Sequence, residues 1–185
     1  MKKRIAAAAL IVLILALFAY GTTAFINAEG RATNVITTGT IEMSLTEEGD
    51  GTPIEGGMKF ENVMPGQTLA KKPVVENTGT QDFYLRVRID KSFENTELDS
   101  AVMALDGPGD GWTEEGGWYY YNSIVKPGDK VTVFSTVSFD ARMGNEYQSA
   151  AATIAVTAQA VQAKNNAPAS GNVTDVVGWP ELPQT

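Results

Sequence analysis

The chain has 185 residues, enough for one domain of ordinary size with a buried core and a leader. It carries 14 Lys and Arg against 22 Asp and Glu, a formal charge of -8, so it lacks the basic face that nucleic acid phosphates require. Cysteine and histidine are both absent, which removes disulfides, thiol nucleophiles, imidazole bases and the usual zinc ligands together.

The first residues have the form of an export signal. Lys2, Lys3 and Arg4 make a positive start, Ile5 to Ala19 is apolar, and Thr22 and Ala24 place small residues where a signal peptidase inspects the chain. Cleavage after Ala24 is the expectation; a cut after Ala28 is the alternative, with Ile26 less suited at the third position back. The apolar run of about 15 residues is short of the roughly 20 that span a bilayer, which disfavours an uncleaved anchor. No cysteine follows the leader for lipid attachment. Loss of Lys2, Lys3 and Arg4 leaves 11 basic against 22 acidic groups, a strongly acidic mature chain.

Beyond the leader, short runs of Val, Ile, Thr, Phe and Tyr alternate with Gly, Pro, Asn and Asp clusters, the punctuation of an all-β sandwich or barrel. "VMPGQTL" (63–69) and "VKPGDKV" (125–131) each set a Pro-Gly turn just before a strand, placing strand starts near Leu69 and Val131. In "DFYLRVRI" the residues Phe83, Leu85, Val87 and Ile89 share one face and Tyr84, Arg86 and Arg88 the other, a half-buried strand. "ENTELDSAVMAL" is the one stretch that reads as helix or turn, its Leu98, Val102 and Leu105 having a loose helical spacing. In "WYYYN" a strand would put Trp118 and Tyr120 on one side and Tyr119 and Tyr121 on the other, so a fully exposed sugar-binding platform is disfavoured against packing. "KVTVFSTVSF" points Val131 and Val133 inward, with Phe134 marking a change of phase such as a bulge before Val137 and Phe139. "ATIAVTAQAVQA" turns Ile154, Val156, Ala158 and Ala160 one way and Thr153, Thr157 and Gln159 the other, and its small residues suit close sheet packing. The tail from Lys164 is polar with an apolar knot at Val176, Val177 and Trp179, a linker and docking end. Its "LPQT" resembles the start of a sortase motif, and a chance match is the expectation.

Several pieces, in their order and spacing, carry a family resemblance. The leader ending "GTTAFIN", the spacer "ATNVITTGTIEMSL", the segment "PGQTLAKKPVVENTGTQDFYLRVRI" and the late "YQSAAATIAVTAQAVQAKNN" followed by Trp179 resemble the TasA and camelysin (CalY) family, over about Gly21 to Asn165. The resemblance implies a leader cut by a dedicated signal peptidase, a jelly-roll-like antiparallel β-sandwich, and polymerisation into extracellular matrix or cell-surface fibres. In such fibres the mature N-terminus acts as a donor strand that completes a sheet of the next subunit. Carried onto this chain, that implies a donor segment over 25–39 and a sandwich over 40–163, between the signal peptide read above over 1–24 and a tail over 164–185 whose polar, Pro- and Gly-containing composition reads as flexible. The donor residues would be Phe25, Ile26, Val35, Ile36 and Thr38. One departure is that the family usually has an acidic residue soon after the aromatic at the mature start, where this chain has Phe25-Ile26-Asn27.

The residues themselves fit that role in part. Val35, Ile36, Thr37 and Thr38 favour strands and Phe25 and Ile26 could anchor, whereas Glu29 and Gly30 are poor strand residues, so two short pieces are as natural as one. The plain alternative is the first strand of the chain's own domain, or a loose terminus. Some camelysin relatives are described as metallopeptidases, which makes a secreted peptidase the leading alternative function, followed by an accessory or adhesin subunit of a surface fibre. Zinc hydrolysis normally takes imidazole or thiolate ligands, and this chain has neither. Acidic loops at Glu47 to Gly51 and Asp106 to Glu115 offer oxygen ligands without EF-hand spacing, and solvated carboxylates are the expectation there. No catalytic residue, metal or cofactor is assigned. The expected partners are further copies of the chain, the signal peptidase during export, and accessory matrix or surface proteins.

Overall fold

A computed structural model describes residues 35–37 and 41–181. The predicted leader, with Ala24, Phe25 and Ile26, lies outside the described residues, as does Thr38.

The described chain is all-β, with two sheets packed face to face around one core. The first sheet has seven strands: β1 (Val35–Thr37), β3 (Thr52–Ile54), β4 (Gly57–Phe60), β6 (Phe83–Phe93), β8 (Trp112–Glu115), β9 (Trp118–Tyr121) and β12 (Ala152–Gln162). Their order is β3-β4-β12-β6-β9-β8, all antiparallel, with β1 added to β12 in parallel. The second sheet has five strands: β2 (Met43–Gly49), β5 (Thr68–Asn77), β7 (Met103–Leu105), β10 (Lys130–Thr132) and β11 (Thr136–Phe139). Here β2 pairs with β5, β10 and β11 also pair with β5, and β7 closes on β11.

The period-2 pattern dictates which residues meet. Phe83, Leu85 and Val87 of β6 and Ile154, Val156, Ala158 and Ala160 of β12 all enter the common core, with Leu45, Val75, Val137 and Phe139 arriving from the other sheet. The β6–β12 pairing runs unbroken from Ala152↔Phe93 to Gln162↔Phe83 and is the spine of the first sheet. Alanines on β12 leave room for the large side chains opposite. Gly57 allows a close approach within the sheet, between β4 and β12: a Cβ there would come within 2.5 Å of the Ile154 carbonyl oxygen.

Both Pro-Gly turns precede strands as expected, β5 starting at Thr68 and β10 at Lys130, with φ of 74° at Gly66 and 83° at Gly128. The phase change at Phe134 is a break between two strands. β10 and β11 pair with the two ends of β5, and the gap is bridged by Val133 N–H to the Pro73 carbonyl and Lys71 N–H to the Ser135 carbonyl. Val133 and Phe134 are both buried. The helical spacing at Leu98, Val102 and Leu105 yields only one 3-10 turn, Ser100–Val102, capped by the Asp99 carboxylate accepting from Ala101 N–H. The chain then becomes β7, because Met103 to Leu105 completes the edge of β11.

Candidate functional site

The N-terminal strand, the tail and the two long strands of the first sheet meet at β12. One edge of this eleven-residue strand is covered along its whole length by β6. The other edge is shared. β4 covers Ala152 to Ala155, and further along β1 pairs in parallel, Val35 with Ala158, Ile36 with Gln159 and Thr37 with Ala160. The stretch of edge that β4 leaves open therefore holds three residues of the N-terminal segment, which also comes against β2 of the other sheet. Sequence reasoning marked Val35 and Ile36 as strand residues of a donor segment. They do form a strand, seated on the chain's own β12.

The outward face of β12 beside this edge is roofed by the tail. Gln159 points away from the core, yet it is fully buried. Its Nε2 donates to the Pro180 carbonyl at 3.1 Å, and its Oε1 accepts from Arg86 Nε and Nη2 at 2.9 and 2.7 Å. Arg86 sits opposite Gln159 on β6, donates from Nη1 to the Tyr120 hydroxyl at 3.2 Å, and is stacked between Trp118 and Trp179, whose ring centres lie 4.1 and 4.5 Å from the guanidinium carbon. Burial pushes this guanidinium below its ordinary pKa, with the Tyr120 hydroxyl opposing. Tail residue Val176 packs with Tyr84, Val161 and Ala163, and Trp179 Nε1 donates to the Val176 carbonyl at 2.7 Å. The apolar knot expected to dock thus does so through Val176 and Trp179, while Val177 remains 68% exposed.

The aromatic run "WYYYN" divides as its alternation demands. Tyr119 and Tyr121 pack against the main core, and Trp118 and Tyr120 join Arg86 on the outer face. Sequence reasoning missed the partnership of Arg86, Gln159 and Trp179 because it joins residues from three separate parts of the chain, Arg86 lying 73 positions before Gln159 and Gln159 lying 21 before the Pro180 that it reaches. A signal was present: an arginine and a glutamine on the outward faces of two strands, with two tryptophans elsewhere in the chain.

A family model described as camelysin metallo-endopeptidase matches residues 1–103. The chain belongs to this family. The camelysin match takes in β1 to β6 and leaves β12 and the tail beyond its end. No curated protein matches the chain.

The family description raises a metal, and the donor set of this camelysin relative does not fit one. The chain has no histidine or cysteine, and among the described residues no three acidic groups converge to hold an ion. Three of the carboxylates in the acidic stretches singled out from the sequence have other work. Glu47 is buried and paired with Lys71 Nζ at 2.5 Å; Asp50 accepts from Ala70 N–H at 2.7 Å; Asp106 accepts from Ser135 and Thr136 N–H at 2.7 and 2.9 Å. Glu114 and Glu115 are exposed neighbours on β8, directed to opposite faces of the strand.

Proposed function

We propose that this camelysin-family protein is an exported structural subunit that polymerises into extracellular or cell-surface fibres by exchange of its N-terminal strand, and that it is not a peptidase. The observation that carries the reading is the parallel pairing of Val35 to Thr37 with the stretch of β12 that β4 leaves uncovered. Three paired residues contribute only a few net hydrogen bonds, each about 0.5–1.5 kcal/mol. The same bonds form equally well with the corresponding segment of another copy, so exchange costs little enthalpy and converts a self-contained subunit into a link of a chain. Extra strand length from Phe25 onward would add contacts available only where the acceptor offers further surface. Cleavage of the leader after Ala24 frees this segment, and a cut after Ala28 would remove Phe25 and Ile26 from it.

The resemblance to TasA-type fibre proteins supports the same reading, and the carboxylate chemistry above supports the absence of zinc hydrolysis. The acidic balance keeps free subunits apart by charge repulsion, so assembly should be favoured at low pH or high ionic strength. Electron microscopy of the purified mature chain tests the proposal: filaments are expected, and they should be lost on deleting Phe25 to Thr38. A chain that stays monomeric at high concentration and low pH would refute it, as would chelator-sensitive casein cleavage by homogeneous protein.

A further inference from the structure

The tail crosses the outer face of the first sheet. Its 3-10 turn, Val173–Asp175, comes against β8 and β9; Trp179 then lies over Arg86 of β6, and Pro180 reaches Gln159 of β12. This path ends at the register position where Ile36 of β1 pairs. We infer that Val173 to Pro180 is a strap that forms the outer wall of the strand-acceptor site, so that firm seating of a donor strand requires a docked tail. The inference rests on the donor-strand reading and adds to it a part of the acceptor.

Gln159 is the connecting group. Its backbone lies between β6 and β1 in the sheet, while its side-chain amide is used from both ends, the oxygen by Arg86 and the nitrogen by Pro180. A glutamine at an outward position of an uncovered strand would be solvated and mobile. Here the strap buries it completely, and every polar atom of the amide group has a partner. Undocking the strap leaves the Gln159 nitrogen without its acceptor, removes one of the two tryptophans stacked on Arg86, and admits water to the face beside the open edge. Water there competes for the main-chain groups that a donor strand needs, and so loosens the strand.

The test uses the full mature chain and a fluorescent synthetic peptide covering residues 25–40, with uptake followed by anisotropy. Trp179→Ala should keep the β-sheet circular dichroism, lose hydrogen-exchange protection over 173–180, and bind the peptide on the order of ten-fold more weakly, the scale of one desolvated stacked guanidinium contact. Met64→Gln, at a residue 60% exposed in the Pro-Gly turn before β5, should bind as the unaltered chain does. Should Trp179→Ala fail to fold, Trp179→Leu carries the test, since it keeps apolar filling over Val176 and loses the stacking. Uptake by the strap variant equal to that of the unaltered chain, with the strap shown to be undocked, would overturn the inference while leaving strand exchange intact. No uptake by the unaltered chain would overturn the strand-exchange reading and this inference with it.

Discussion

Replacing Lys71 with methionine should cost about 3–5 kcal/mol of stability, because it strands a buried carboxylate. Lys71 and Glu47 lie on neighbouring strands with side-chain exposures of 0% and 1%, and the ammonium meets Glu47 Oε2 at 2.5 Å. Glu47 Oε1 is buried without a hydrogen-bond partner, so the lysine is the carboxylate's only direct compensation among the described residues. Methionine can fill the space of the lysine stem beside Phe134, which isolates the electrostatic loss from a packing loss. Urea unfolding followed by circular dichroism at neutral pH is the assay. With a slope of about 2 kcal/mol/M, the midpoint should fall by about 2 M at unchanged slope. The double variant Lys71→Met with Glu47→Leu should recover most of that loss, since a buried pair is worth little more than apolar groups of the same volume. Burial lowers the pKa of Lys71 below 10.5, with Glu47 opposing, so the folded state binds fewer protons here than the unfolded state as pH approaches 10.5. The stability owed to this group therefore rises across that window, and the gap between unaltered chain and Lys71→Met should widen as pH climbs toward 10.5. A midpoint shift below about 0.5 M, or a double variant no better than the single, would refute the reasoning.

Two further outcomes follow from other parts of the fold. The Asp140 carboxyl, held down chiefly by the side-chain hydrogen bonds of Arg142, should titrate at about 2 by carboxyl carbon NMR; Arg142→Ala should return it toward 3.8. Its contribution to stability is present above pH 3.8 and is lost as pH falls through about 2. Gly57→Ala places a methyl against the Ile154 carbonyl and should cost about 1–3 kcal/mol by prising β4 from β12, read as a fall in the urea midpoint and faster hydrogen exchange at Ile154 and Ala155.

Much of the sandwich was legible because alternation has only two phases. Once Leu85 and Ile154 are assigned inward, every neighbour on β6 and β12 is fixed, and the Pro-Gly turns fix where β5 and β10 begin. The buried ion pair was legible in principle. The inward rows Met43, Leu45, Glu47 and Lys71, Val75 carry opposite charges at their adjoining ends, where β2 pairs with β5. The 3-10 turn was legible only as one of two readings, helix or turn, since three loosely spaced apolar residues serve a turn followed by an edge strand as well as a helix. The strap was not legible. Gln159 satisfies the rule that polar residues face outward, and nothing local to it tells that Pro180 will cover it. Contacts of that kind are fixed by tertiary packing and leave no period in the sequence. Val35 and Ile36 were legible as strand formers, whereas the pairing of β1 with β12 beyond the end of β4 came only from the strand register.

Because the chain has no cysteine, pairing between copies can be measured with single substitutions. Thr37→Cys in one preparation and Ala160→Cys in another place one thiol on β1 and one opposite it on β12, at the spacing of adjacent strands, about 4.8 Å and within disulfide reach. Neither variant can form this bridge within itself. Mixed under assembling conditions and oxidised, the two should give covalent Thr37→Cys to Ala160→Cys dimers in the filament fraction. Filaments that form without that dimer, while a chain bearing both cysteines closes the bridge internally, would contradict strand exchange between subunits.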